Sequence, residues 1–196
     1  MTPVQAAEQA LKEGRTDAAL KSLQDGVRAK PADPKLRVFL FQLLCVLGQW
    51  PRAMTQLEVC GELDASTLPM VNTYREALIN GRYCWVPFSA LTKITIEEPV
   101  DLRDMVWSAA QLEFTNGGQS VALIPTRYPG TATEGDALAQ LSRRTEWQAL
   151  NDEHFRGIGQ RVLALGEHDS DLLAVREITL EPLPVPDDEP TPDAAA

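Results

Sequence analysis

The chain has 196 residues, of which 44% are hydrophobic and 23% are charged, and this balance is that of an ordinary globular protein. Its formal net charge of −10 argues against nucleic acid and against an anionic membrane surface as partners, because both attract basic patches. No apolar run could span a bilayer, no secretory signal stands at the N-terminus, and the three cysteines follow neither a disulfide nor a zinc spacing, so we predict a cytoplasmic protein.

Residues 1–77 are predicted to form helices. Thr2 can cap a first helix that has Pro3 at its first position, where the missing N–H costs nothing, and Asp17 can cap a second helix. A third helix is predicted to run from Leu36 to Gly48, and a fourth to begin near Pro51.

These four helices form a repeat with a period of 34 residues. A shift by that length aligns residues of similar size in five places: Gly14 with Gly48, Leu11 with Cys45, Ala19 with Ala53, Leu20 with Met54, and Leu23 with Leu57. This period, with a glycine between paired helices, is typical of tetratricopeptide repeats; a generic antiparallel bundle is the alternative. Two repeats bury little core, so we expect them to pack against the rest of the chain.

Residues 78–180 are predicted to form a small, mainly antiparallel α+β domain. Its clearest element is a hairpin, QLEFTNGGQSVALIP (111–125), because Asn116-Gly117-Gly118 suits the positive φ angles of a tight turn. The other expected elements are a strand at 92–98, a helical turn at 101–107, a helix from Asp136 to Trp147, and strands at 157–165 and 172–180. Residues 181–196, with five prolines and five acids, are predicted to be a disordered, extended tail.

No convincing catalytic set is visible, and the sequence predicts no enzyme, no cofactor and no metal site. His154 lies beside Asp152, but it has no second histidine at helical spacing; an unfamiliar active site around His154, Asp152 and Arg127 is the alternative. In LIPTRYPGT (123–131) we predict a structural role, in which Arg127 pairs with an acid such as Glu98 or Asp104 and Tyr128 packs. Partner contact through Arg127 and Tyr128 is the other possibility.

A series of short segments resembles the ImpE family, also called SciE or TagJ, whose members are accessory proteins of the bacterial type VI secretion system. The segments stand in this order: NGRYCWVPF (80–88), IEEPVDLRDMVW (96–107), the NGG hairpin, LIPTRYPGT (123–131), RRTEWQAL (143–150) and GQRVLAL (159–165). The N-terminal half is similar as well. In one respect the chain departs from the family pattern: a long segment intervenes in the family where Ala77 here runs directly into Leu78.

The resemblance implies a cytoplasmic, non-enzymatic adaptor in which tetratricopeptide-like helices join an α+β domain. Its implied partner is the N-terminal helix of the small sheath subunit, and through the sheath it could be linked to the unfoldase ClpV. The repeat would turn one side of the third helix toward such a partner; the candidates are Arg37, Leu40, Phe41 and Leu44, with core packing as the alternative for the three apolar residues. A general scaffold, whose α+β domain docks another secretion or regulatory component, is the alternative function.

Overall fold

The computed structural model describes residues 1–79 and 84–181. The N-terminal part of this range is a layer of five helices: α1 (Pro3–Lys12), α2 (Thr16–Ala29), α3 (Pro34–Val46), α4 (Trp50–Leu63) and α5 (Leu68–Ile79). The predicted cap of α1 is confirmed, since the Thr2 hydroxyl accepts a hydrogen bond from the Gln5 N–H at 3.2 Å and the Gln5 side chain accepts one from the Thr2 N–H at 3.0 Å. These two bonds satisfy amide groups that the helix itself leaves unpaired.

The predicted cap of α2 is wrong. The helix begins at Thr16, so Asp17 lies within its first turn, and no side chain caps it. Asp17 still lies where the partial positive charge of a helix N-terminus favours an acid. In α3 the cap is Asp33, whose carboxylate accepts hydrogen bonds from the N–H groups of Lys35 at 3.0 Å and Leu36 at 3.3 Å.

The structure confirms the 34-residue repeat. Gly14 and Gly48 end the first helix of each pair with φ angles of 71° and 66°, a conformation that favours glycine. Ala19, Ala53, Leu23 and Leu57 lie in the core with no exposed surface, and the aligned pair Leu20 and Met54 is partly buried against it. The small alanine side chains let the helix axes approach closely, and the leucines fill the space between them.

The C-terminal part is built on a four-stranded antiparallel sheet with the order β3-β2-β1-β8. Its strands are β1 (Leu91–Ile96), β2 (Trp107–Phe114), β3 (Gln119–Pro125) and β8 (Glu177–Thr179). The predicted hairpin is confirmed, and Gly117 has a φ of 82° in its turn. One face of the sheet covers a small core in which Ile94 lies opposite Leu112.

The stretch after β3 contains the main error of the sequence analysis. The helix expected from Asp136 to Trp147 is wrong: after the single turn α6 (Thr131–Glu134), helix α7 (Ala137–Gln140) is also one turn long. Ser142 then takes a φ of 54° and donates its hydroxyl to the Met105 carbonyl at 2.7 Å, which turns the chain out of the helix. Trp147 therefore lies in a strand.

Two hairpins complete the fold. β4 (Thr145–Ala149) pairs with β5 (Phe155–Gly159), and β6 (Val162–Leu165) pairs with β7 (His168–Asp171). The expected strand at 157–165 is thus divided between two hairpins. The expected strand at 172–180 begins as a 3-10 turn, Leu172–Ala174, and only its end forms β8.

The two parts share one hydrophobic core. Val106 and Leu141, from the C-terminal part, are buried in the same cluster as Leu23 and Phe41 from the helices. Helix α5 runs to Ile79, two residues beyond the predicted boundary at 77; the division of the chain into domains at that point stays a prediction. The tail prediction falls on residues 182–196, which lie outside the described residues.

Candidate functional site

The junction between the helices and the sheet is organised around Arg127. Its side chain is only 7% exposed, and Nη1 donates to the carbonyl oxygens of Val46 at 2.8 Å and Gln140 at 2.7 Å. The predicted pairing with Glu98 or Asp104 is wrong, because the guanidinium points at the C-terminal end of α3. The carbonyl oxygens at the end of a helix carry the partial negative charge of the helix dipole, which takes the place of an acid here. Burial lowers the pKa of Arg127 to about 10, so it is still charged at neutral pH.

A second arginine makes the equivalent contact one repeat earlier. Nη1 of Arg143 donates to the carbonyl oxygens of Leu11 at 2.9 Å and Lys12 at 3.2 Å, at the end of α1. A shift by 34 residues carries Leu11 and Lys12 onto Cys45 and Val46, whose carbonyls face Arg127 at 3.4 and 2.8 Å. The C-terminal part therefore caps the same position in both repeats.

Tyr128 packs, as predicted. Its ring lies 5.6 Å from the Trp147 ring, the Arg161 guanidinium lies 5.5 Å from its ring centroid, and its hydroxyl accepts a hydrogen bond from the Val162 N–H at 3.3 Å. A Cβ on Gly157 would lie 2.4 Å from the ring, so only glycine leaves room for this contact. The Arg127-Tyr128 pair thus contacts four elements of the chain: α3, α7, β4 and β6.

The apolar candidates for partner binding on α3 lie in the core. Leu40, Phe41 and Leu44 are 4%, 0% and 1% exposed, so they have almost no surface to offer a partner, and core packing accounts for them. Arg37 is different: it is half-buried, with Nε donating to the Pro31 carbonyl at 2.7 Å and Nη1 to the Gln56 side chain at 2.8 Å. Arg37 remains a candidate.

A groove does lie on α3, but different residues line it, some of them next in sequence to the predicted ones. This α3 groove has a volume of about 310 Å³ and is lined by Pro34, Lys35, Val38, Phe39, Gln42, Asp64 and Thr67. Val38 and Phe39 are half-exposed and supply its apolar surface. Sequence reasoning missed them because α3 is apolar on nearly every side, so its pattern does not mark an exposed face.

The α3 groove carries one charge of each sign, Lys35 and Asp64. Asp64 ends α4 and caps the following 3-10 turn, and hydrogen bonds from Ser66 lower the pKa of its carboxyl group. The Thr67 hydroxyl donates to the Asp64 carbonyl oxygen at 2.7 Å and fixes the turn. An apolar floor with an acid and a base beside it suits an amphipathic helix.

A second groove, between α4 and α5, is more polar. It has a volume of about 370 Å³, and three of its lining side chains are charged. The lining residues are Glu58, Gly61, Glu62, Leu68, Val71, Asn72 and Arg75. Buried apolar contact is the main source of binding energy for an amphipathic helix, so this groove fits such a partner less well.

The residues of the alternative active site are not brought together in either groove. His154 is exposed at the β4–β5 turn, with Nδ1 2.9 Å from the Asn151 side-chain oxygen, whereas Arg127 is buried against helix ends. Over residues 1–79 and 84–181, no three histidine, cysteine or acidic side chains are grouped as metal ligands would be. Nor does any helix within those ranges have the length and apolarity needed to cross a membrane.

Comparison with known proteins identifies both parts of the chain. The tetratricopeptide repeat profile matches residues 10–69, and the profile described as ImpE protein matches residues 64–179. The type VI secretion system accessory component TagJ of Pseudomonas aeruginosa is 34% identical, with 90% of this chain and 91% of the relative aligned. The crystal structure of protein VPA1032 from Vibrio parahaemolyticus has the same fold, with a TM-score of 0.75 at 17% identity over 87% of this chain and 96% of that one.

The length of the TagJ alignment bears on the departure from the family pattern. The alignment extends over 260 positions, whereas this chain has 196 residues. At least 64 aligned positions of the relative therefore have no counterpart here. That agrees with a segment present in this relative and absent from the present chain; its place between Ala77 and Leu78 stays a prediction.

Proposed function

This chain belongs to the ImpE family, and on that premise we propose that it is a cytoplasmic, non-enzymatic accessory protein of the bacterial type VI secretion system. The tetratricopeptide match supports a role in binding other proteins, because stacked helix pairs present extended grooves for that purpose. The name of the Pseudomonas relative supports the secretion system as the setting.

We further propose that the partner is the N-terminal helix of the small sheath subunit, bound in the α3 groove. The single observation that carries this placement is the half-exposed pair Val38 and Phe39, which gives α3 an apolar strip that the chain itself leaves open. An amphipathic helix could bury its apolar face there, while Lys35 and Asp64 contact its polar side. Contact with the sheath would then link the protein to ClpV indirectly.

A peptide of that sheath helix, labelled with a fluorophore, tests the placement by fluorescence anisotropy. Val38→Asp puts a charge into the groove and should weaken binding at least tenfold, because Val38 does not belong to the buried core. Val121→Asp is the matched control, since Val121 is 80% exposed on β3 and should leave binding unchanged. If both variants bound the peptide with equal affinity, the α3 groove would be ruled out as the site. If the folded natural chain did not bind the peptide, the sheath helix would be ruled out as the ligand.

The scaffold alternative is supported by a different surface. On the β4–β5 hairpin, Trp147 and Phe155 are 56% and 59% exposed, and the register places them on one face of the hairpin. Leu150 in the turn is 63% exposed. If this face docks another secretion component, Phe155→Ser with Leu150→Ser should abolish capture of that component while leaving binding of the sheath peptide intact.

A further inference from the structure

An exposed aromatic strip precedes β1. In this strip, Trp85–Phe88, the two aromatic side chains are among the most exposed apolar groups of the described residues: Trp85 is 98% exposed and Phe88 is 63% exposed. Burying an aromatic side chain is strongly favourable, so neighbouring aromatic side chains that stay exposed to water often mark a contact surface. The segment CWVPFSA (84–90) carries no charge, so whatever covers it is expected to be apolar.

The described chain ends beside this strip. β8 runs antiparallel to β1 with Thr179 opposite Lys93, and the Leu180 N–H donates to the Thr92 carbonyl at 2.9 Å. On the other side of this pairing, β1 begins at Leu91, directly after the 3-10 turn Phe88–Ala90 that follows the start of the strip. Val86 and Leu180 pack against the same small core, so the strip and the point where the chain leaves the sheet are neighbours.

Pro182 cannot donate a further hydrogen bond to β1, because proline has no N–H. Every second residue of β8 directs its N–H toward β1, and after Leu180 the next such residue is Pro182, which has no N–H. Glu181, Leu183 and Val185 each precede a proline, which restricts them to extended conformations. Five residues of this kind reach about 15 Å at the rise of a polyproline helix.

We propose that residues 182–186, Pro-Leu-Pro-Val-Pro, dock on the aromatic strip Trp85–Phe88 of the same molecule. Proline-rich segments bind aromatic surfaces because their extended form is already ordered and loses little entropy. The tether keeps the segment at an effective concentration in the millimolar range, so a weak contact suffices. The strip carries no charge and offers no cation to the acidic residues from Asp187 onward, so we assign the contact to residues 182–186.

Cys84 is a built-in probe of this contact. It is exposed and adjoins Trp85, whereas Cys45 and Cys60 are buried, and burial raises the pKa of these two thiols to about 12 and about 11. A neutral alkylating reagent such as iodoacetamide should therefore modify Cys84 first in the folded protein. Its rate of alkylation reports whether the strip is covered.

The experiment compares that rate in the full chain, in a variant lacking residues 182–196, and in two tail variants. Deletion should raise the rate of Cys84 alkylation about three- to tenfold, since a tethered contact at millimolar effective concentration protects to that degree. Replacing Pro184, Val185 and Pro186 by serine should reproduce the deletion. Neutralising Asp187, Asp188 and Glu189 as amides, the matched control, should leave the rate unchanged.

Three outcomes would overturn the proposal. A rate that deletion changes by less than twofold would mean that the tail does not cover the strip. If the charge-neutralised variant raised the rate of Cys84 alkylation as much as the deletion does, the tail would act through its charge alone. Protection that grows with protein concentration would mean that a second copy covers the strip.

Discussion

Replacing Arg127 by methionine should destabilise the whole fold, because this one side chain joins α3 to the C-terminal part. Methionine keeps most of the apolar stem but removes the two short hydrogen bonds, at 2.8 and 2.7 Å, from a cationic donor. Bonds of this kind contribute about 1.5–3 kcal/mol each, so we expect the free energy of unfolding to fall by about 3–6 kcal/mol. The contact with the Cys45 carbonyl, at 3.4 Å, is too long to add much.

Urea unfolding followed by far-UV circular dichroism measures this loss. Arg127→Lys should recover only part of the stability, because an ammonium group cannot hold two carbonyls in the fork geometry of guanidinium. Arg143→Met is the matched control: it removes the equivalent contact from the exposed end of α1 and should cost less than about 1 kcal/mol. A loss below about 1 kcal/mol for Arg127→Met, or equal losses for the two methionine variants, would refute the argument from burial.

Two further predictions concern turns and caps. Gly48→Ala should lower the melting temperature more than Gly14→Ala. Both glycines have a positive φ, but a new Cβ at Gly48 would lie 2.7 Å from the Ala132 side chain, whereas a new Cβ at Gly14 would have no contact shorter than 3.3 Å. Equal shifts of the melting temperature would contradict this prediction. Asp136 caps α7, and the hydrogen bond from the Ala139 N–H, together with Arg144 and the Leu138 N–H, holds the pKa of its carboxyl group below the usual value of an aspartate. Its charged form therefore stabilises the protein above about pH 4 and loses that effect as the pH falls further, so the difference in urea midpoint between the natural chain and Asp136→Asn should shrink below pH 4; a constant difference would count against it.

The helical repeat was readable from the sequence because its signals are local. Glycines at turns, prolines at helix starts and apolar residues at fixed spacing each act within a few residues. Which residues of α3 are buried and which are exposed is not decided by local signals. Leu36–Val46 is apolar on most sides, and only the packing of α4 and the sheet decides that Phe41 is buried while Val38 lines a groove.

The errors at Trp147 and Arg127 share a cause. Residues 136–147 have a helical pattern, but the Ser142 hydroxyl is bound by the Met105 carbonyl, 37 residues earlier in the chain, and the strand that follows needs β5 as a partner. The partners of Arg127 are backbone carbonyls, one of them on Val46, 81 residues away, and no side-chain pattern could indicate them. Contacts of this kind depend on the finished fold.

The paired arginine contacts bear on how stiff the helical layer is. Tandem helix pairs ordinarily behave as a spring, since each repeat touches only its neighbours and small rotations add up along the array. Here Arg127 and Arg143, both from the C-terminal part, bind the ends of α3 and α1, so a change in the angle between the two repeats would disturb these contacts. A helical layer that resists this bending keeps one shape before binding, so a partner that contacts both repeats would cause less loss of conformational entropy than it would on an elastic array.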